Sequence, residues 1–126
     1  SCTTVSPEFQ LKLPGGLEPG EWNVYLKLSI VTNNYFEVDG IDKLVANISS
    51  YINGLSIGQS LVTTAMYGQI YSVAGVVTSQ IQASKDGTEY SADDILMQPY
   101  GCCSLKQLII NKDNAGDEVV YERSDG

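Results

Sequence analysis

The sequence predicts a mixed α+β fold, in which a small and mostly antiparallel sheet carries two packed helices. Two patterns predict this class. Several short stretches alternate apolar and polar residues, which is the period of a half-buried strand. Two segments in the middle of the chain repeat apolar residues at steps of three and four, which is the period of an amphipathic helix. In chain order the predicted elements are β-β-α-α-β-β-β, and a chain of 126 residues is the size of one domain.

Two strands are predicted ahead of the helices. Residues 8–13 alternate apolar and polar side chains over their whole length. Residues 22–30 are the clearest strand, because five alternating apolar residues share one face: Trp22, Val24, Leu26, Leu28 and Ile30. We expect this face, Trp22 included, to lie in the core. Residues 14–20 contain two prolines and three glycines and predict a loop between the strands.

The first helix is predicted over residues 41–55, where apolar residues recur at helical spacing. Asp39 precedes this segment and is the predicted N-cap, because a carboxylate there can accept hydrogen bonds from the first N–H groups of the helix. Gly54 is the predicted left-handed cap at the C-terminal end. Gly58 is expected to let the chain reverse before the next element.

The second helix is predicted over residues 63–74. Thr63 or Thr64 is the expected N-cap, and Ser60 is a competing choice that adds nearly a turn to the helix. Gly75 follows as the expected stop.

The rest of the chain predicts short strands joined by turns. Residues 76–83 are rich in β-branched side chains and predict a strand, and a tight turn is expected at Gly87, which follows an aspartate. Two further strands are predicted over residues 94–97 and 102–111.

Two parts of the chain are distinguished by composition. Residues 1–111 are expected to form a single α+β domain, and residues 112–126 an acidic C-terminal tail with one strand over Val119–Tyr121. Because the chain begins without methionine, we expect it to be a fragment of a longer protein.

The net charge restricts the classes of partner. Fifteen acidic and seven basic residues leave a net charge of −8. Such a chain is repelled by phosphate backbones and anionic lipid surfaces, so neither nucleic acid nor a membrane is a predicted partner. The sequence also lacks an apolar run near the ~20 residues that span a bilayer. An acidic surface instead suits a basic protein partner.

One short pattern is typical of hydrolases. Residues Gly54 to Gly58 fit G-x-S-x-G, the nucleophile elbow, with Ser56 at its centre. A serine needs a base, usually histidine, and the sequence has none. The elbow also joins a strand to a helix, whereas this pattern follows a helix. A Ser–Lys dyad is an alternative, although no lysine lies in a recognisable motif. We interpret Ser56 as a linker residue, with Leu55 and Ile57 turned toward the core.

Other candidate sites have plainer interpretations, so we predict no enzyme, no metal site and no cofactor. Residues 112–118 depart from the spacing of a calcium loop. Asp93 and Asp94 are neighbours that point apart in an extended chain and are expected to cap a turn. Cys102 and Cys103 are interpreted as small apolar strand residues, with a reducing compartment as the simpler setting.

One long stretch carries a resemblance to a known family. Residues 44–81, "LVANISSYINGLSIGQSLVTTAMYGQIYSVAGVVTSQI", resemble the C-terminal region of baseplate J-like proteins, which are wedge components of contractile phage tails and related injection machines. That family has a helix ending in a tyrosine, here Tyr51, and a Leu-x-Ile/Pro-Gly turn, here residues 55–58. A second helix and a Gly-Val entry into a strand follow, here Gly75-Val76. Residues 93–111 are similar to the family's closing hairpin.

The resemblance implies a structural assembly module of a phage or phage-like tail baseplate, which holds wedge subunits together by protein–protein contacts. The implied partners are other baseplate or tail proteins, with self-association as a further option and no small-molecule substrate. The implied location is the virion tail baseplate, assembled in the bacterial host cytoplasm. The alternative is a receptor- or carbohydrate-binding module of a phage or surface protein. It predicts at least three aromatic side chains clustered on one exposed concave face.

Overall fold

The computed structural model describes residues 20–97, 99, 101–116 and 118–123. The strand predicted over residues 8–13 and the Gly/Pro-rich loop up to residue 19 lie outside the described residues, as do residues 124–126. The elements are β1 (Gly20–Thr32), α1 (Gly40–Asn53), α2 (Thr63–Tyr71), β2 (Val76–Ser84), β3 (Gly101–Lys112) and β4 (Glu118–Glu122).

The four strands form one mixed sheet in the order β2-β1-β3-β4. β1 pairs antiparallel with β2 and parallel with β3, and β3 pairs antiparallel with β4. A parallel pair needs a long crossover, and α1, α2 and β2 all lie between β1 and β3 in the chain. The predicted α+β class is confirmed. The sheet is mixed, because its central pairing is parallel.

The core lies between one face of the sheet and the two helices. Alternate residues of β1 point into it, as the sequence pattern predicts, and every one is at most 2% exposed: Val24, Leu26, Leu28 and Ile30. The helices contribute Leu44, Ile48 and Ile52 from α1, and Met66 and Ile70 from α2. α1 packs on β3 and α2 packs on β2.

Trp22 departs from this pattern. It is 40% exposed, so the prediction that it lies in the core is wrong. Its side chain lines a small cleft at the start of β1, together with Leu96 and Met97, and no helical residue lines that cleft. Alternation along a strand fixes the face that a side chain occupies, but it does not say how far the helices extend over that face.

The ends of α1 differ in detail from the prediction. Asp39 stands at the N-cap position, but its side chain makes no capping hydrogen bond and lies 3.6 Å from Nζ of Lys43. Gly54 stands at the C-cap in a right-handed conformation, with φ of −83°, so the predicted left-handed cap is wrong. The N–H of Gly54 donates to the carbonyl of Ser50 at 3.0 Å and continues the helical bonding pattern instead.

The start of α2 is capped from a distant loop. Val62 is the N-cap residue and Thr63 is already helical, so the predicted N-cap at Thr63 is wrong. Oδ1 of Asp94 accepts hydrogen bonds from the backbone N–H of Thr63 at 2.9 Å and from its hydroxyl at 3.1 Å. The carboxylate of Asp94 therefore caps α2, although Asp94 lies 31 residues from Thr63 in the chain. Ser60, the competing choice, accepts a hydrogen bond from a backbone N–H of the same loop.

Three predicted turn glycines have positive φ: Gly58 at 81°, Gly75 at 87° and Gly87 at 81°. Residues 94–97 do not form a strand. Ile95 instead makes an isolated antiparallel bridge with Leu61, with hydrogen bonds of 2.9 and 3.0 Å. In the predicted tail, β4 covers the expected strand and pairs with β3.

Candidate protein-interaction edge

Among the described residues the sheet has two outer strands, β2 and β4, and three outward N–H groups of the β2 backbone already have partners. The N–H of Ser79 donates to the hydroxyl of Tyr71 at 3.0 Å, and the N–H of Ile81 donates to the hydroxyl of Tyr67 at 3.1 Å. Further along, Ala83 exchanges two backbone hydrogen bonds with Ser91, at 2.8 and 3.0 Å. These contacts occupy N–H groups that another strand would need for pairing.

The two tyrosines belong to one face of α2. They are four residues apart in the helix, and their rings stack with centroids 6.3 Å apart. This spacing lets both hydroxyls reach alternate N–H groups of the same strand. This role of the two hydroxyl groups was not predicted from the sequence. The sequence signal for it is the four-residue spacing of two tyrosines on a helix that directly precedes a strand.

β4 presents its backbone differently. The N–H of Arg123 donates to the carbonyl of Lys106 at 2.9 Å, directly after the last residue of β4. Hydrogen-bonded pairs alternate along an antiparallel ladder, so in the observed register Val119 and Tyr121 bond to β3. The N–H and C=O groups of Glu118, Val120 and Glu122 therefore point away from β3. We call this row of groups the β4 edge.

The side chains of β4 are all exposed. Val119 and Tyr121 lie on the helix side of the sheet and are 45% and 38% exposed, and neither α1 nor α2 packs extensively on β4. Glu118, Val120 and Glu122 lie on the opposite side, and Val120 is 53% exposed. Among the described residues the β4 edge thus combines unpaired backbone groups with exposed apolar side chains.

β4 is nevertheless held firmly at the turn that precedes it. The carboxylate of Asp113 accepts hydrogen bonds from the N–H and the hydroxyl of Thr32, both at 2.7 Å. These two bonds, with Nζ of Lys112 at 3.1 Å, lower the pKa of Asp113 to about 2. The N–H of Asp113 also donates to the carbonyl of Ile30 at 2.8 Å. The β3–β4 turn is therefore fastened to the end of β1.

The other end of β4 is fastened to the start of β1. Nη2 of Arg123 donates to Oδ1 of Asn23 at 2.7 Å, and its Nη1 donates to Oγ of Ser104. Nζ of Lys106 donates to the backbone carbonyl of Arg123 at 2.9 Å. The edge strand is thus attached at both ends, which keeps its free side in a fixed position.

Ser56 lies in an exposed turn between the helices. Its N–H donates to Oε1 of Gln59 at 2.9 Å, and its carbonyl accepts from the N–H of Gln59 at 3.0 Å. Leu55 is buried as expected, whereas Ile57 is 38% exposed and does not turn into the core. The glycines and Ser56 form a compact reversal of the chain.

One cleft of about 220 Å³ is acidic, and its lining includes Asp86, Glu89, Asp93 and Asp94. Two of these carboxylates already have structural partners. Asp94 caps α2, and Asp86 accepts hydrogen bonds from N–H groups of the following turn, which hold its pKa well below the usual value. Within the described ranges, no group of three or more potential ligands is placed to hold a metal ion.

The adjacent cysteines differ in state. Cys103 is free and buried, and its burial raises the pKa of the thiol. Cys102 is disulfide-bonded, so its interpretation as only a small apolar strand residue is wrong.

Comparison with known proteins gives the chain no assigned family. No protein-family model matches it, and no curated protein matches it. Neither helix in the described part of the chain has the length and apolar character needed to cross a membrane.

Proposed function

We propose that this protein is a structural assembly module of a phage or phage-like tail baseplate, which binds other subunits by strand addition at the β4 edge. The single observation that supports this contact is that the two outer strands differ in the bonding of their outward backbone groups. In β2 the outward N–H groups of Ser79, Ile81 and Ala83 are occupied by Tyr71, Tyr67 and Ser91, whereas the β4 edge has no backbone partner among the described residues.

The side chains around the edge support the same role. Val119 and Tyr121 are exposed apolar groups beside a backbone that can accept a strand. Strand addition uses both features, because backbone hydrogen bonds supply affinity and alternate side chains supply specificity. The attachments of Asp113 and Arg123 at the two ends lower the cost of ordering the edge when a partner binds.

The assignment to a baseplate rests on the resemblance of residues 44–81. The order of elements agrees with the pattern that the resemblance implies. α1 contains Tyr51, a turn with a positive-φ Gly58 follows, and α2 leads to a strand that begins at Val76. The implied partners are other wedge and tail proteins.

The alternative, a sugar- or receptor-binding module, needs aromatic side chains on one concave face. Among the described residues, the most exposed aromatic side chains lie on separate elements: Trp22 in β1, Tyr35 in the following turn, Tyr71 at the end of α2 and Tyr121 in β4. This distribution gives the alternative no specific support.

The test is a reconstitution with the purified baseplate and tail proteins encoded beside this chain. The tagged full chain should capture at least one of these wedge proteins. Val120→Pro should abolish the capture, because proline removes an N–H of the β4 edge and leaves the bonds to β3 intact.

Val120→Thr is the matched control, since it keeps the N–H and the β-branched shape and should capture the partner normally. Circular dichroism of both variants should match the wild type. Failure to capture any of these proteins would count against the assembly role, and undiminished capture by Val120→Pro would exclude the β4 edge as the contact.

A further inference from the structure

We infer that the β4 edge selects a basic strand from another protein and rejects a second copy of itself, an inference that rests on the proposed use of this edge. Glu118 and Glu122 flank Val120 on one face of β4. Both glutamates belong to the residues whose backbone groups face outward. Any strand added there must place its own side chains directly beside these two carboxylates.

A second copy is the most available partner, because it always has the same edge. A symmetric dimer would pair two β4 strands antiparallel about Val120, which is the self-complementary arrangement of a two-fold interface. Each Val120 would then lie opposite its counterpart. Each Glu118 would lie opposite a Glu122, about 5.5 Å away between Cα atoms.

This symmetric pairing therefore creates two like-charge pairs on one face of the joined sheet. Directly opposed like charges destabilise strand pairing. Lys106 offsets part of this charge, since its Nζ lies 3.9 Å from Oε1 of Glu122. Lys106 belongs to β3 of the same copy, however, so it does not lie between the two opposing carboxylates. The net charge of −8 on each copy adds to the repulsion. The glutamates thus protect an edge that no other described strand covers.

The same geometry defines the partner. Its strand should carry Lys or Arg opposite Glu118 and Glu122, and a β-branched residue opposite Val120. The two residues between them should be apolar, because they meet the exposed side chains of Val119 and Tyr121 on the other face. The expected pattern is basic, apolar, β-branched, apolar, basic.

A single charge reversal tests this selection in the full chain. Glu118→Lys turns both like-charge pairs of the symmetric dimer into Lys–Glu pairs. We expect this variant to dimerise, with a dissociation constant at least about tenfold lower than that of the wild type. Sedimentation velocity over a range of protein concentrations measures the change. The dimer should weaken as salt is added, because exposed charge pairs are screened.

Two double variants serve as controls. Glu118→Lys with Glu122→Lys restores like charges across the dimer and should be monomeric, although its net charge is closer to zero than that of the single variant. Glu118→Lys with Val120→Pro should also be monomeric, because the edge is blocked. Circular dichroism checks that all variants fold.

A monomeric Glu118→Lys variant that folds normally would overturn the inference, and so would a dimer that survives Val120→Pro. These outcomes are separate from the reconstitution result. If wild-type protein captures its partner through Val120 but Glu118→Lys stays monomeric, the assembly role stands and the charge selection fails. If the dimer forms but no tail protein is captured, the selection stands and the baseplate role fails.

Discussion

At the scale of the residue, Gly75 shows how closely the chain is packed around one backbone position. Its φ is 87°, in the region that side chains rarely adopt. A Cβ atom there would lie 2.1 Å from the backbone nitrogen of Phe36. The carbonyl of Gly75 accepts a hydrogen bond from the N–H of Asn33 at 2.9 Å, so the turn before β2 is joined to the loop after β1.

Gly75→Ala should therefore lower the free energy of unfolding by at least about 2 kcal/mol, because positive φ and a backbone clash act together. Urea unfolding followed by circular dichroism measures the change. Gly68→Ala is the control. It lies inside α2 with nothing within 4 Å of a Cβ atom, and alanine there should stabilise the protein by about 0.5–1 kcal/mol. Equal stabilities for Gly75→Ala and wild type would contradict this packing.

At the scale of the element, two outward N–H groups of β2 depend on tyrosine hydroxyl groups for their hydrogen bonds. The two hydroxyls belong to the same residue type but differ in burial. The bond from Ile81 to Tyr67 is partly buried, and the ring of Tyr67 packs against the core. The bond from Ser79 to Tyr71 is exposed, and Tyr71 is 47% accessible. Water can replace the second hydroxyl more readily than the first.

Tyr67→Phe should destabilise the protein by about 1–2 kcal/mol, because it leaves a partly buried N–H without a partner. Tyr71→Phe is its matched comparison and should change stability by less than about 0.5 kcal/mol. Thermal and urea unfolding of both variants give the two values. A larger loss for Tyr71→Phe would show that burial does not govern these two bonds.

The elements themselves could be predicted from the sequence, because their signals are local. The alternation in 22–30 and the helical spacing in 41–55 appear in β1 and α1 with small shifts at the ends. The contacts between elements could not be predicted in this way. The cap of α2 comes from Asp94, and the turn before β4 is held by Thr32 at a separation of 81 residues. No pattern within either segment marks such a partner.

The candidate site illustrates the same limit. A strand over Val119–Tyr121 was predicted from its composition, but its neighbour β3 and the orientation of its backbone depend on the sheet register. The open edge follows from that register. The sequence showed the acidic charge of the region, and only the fold placed two of its glutamates on either side of Val120.

At the scale of the whole molecule, the sheet is asymmetric in its bonding. β1 and β3 are central and are each paired on both sides, whereas β4 is paired on one side among the described residues. Native-state hydrogen exchange should therefore be slowest in β1 and β3, where opening requires the sheet to separate.

The same experiment checks the orientation of β4. The amides of Val119 and Tyr121 should be protected because they bond to β3, and those of Glu118, Val120 and Glu122 should exchange quickly. Alternating protection measured by NMR would agree with the register. Uniform protection along β4 would mean that another part of the chain already occupies the β4 edge.

The attachments of β4 have a mechanical consequence. Arg123 reaches Asn23 across 100 residues of chain, and Asp113 reaches Thr32 at the opposite end of β1. A tension applied along a strand bound to β4 would load the β3–β4 ladder in shear, and the two end contacts would carry part of that load directly to the centre of the sheet. A neighbour pulling on this domain would thus displace it as a stiff body before it could peel the outer strand away.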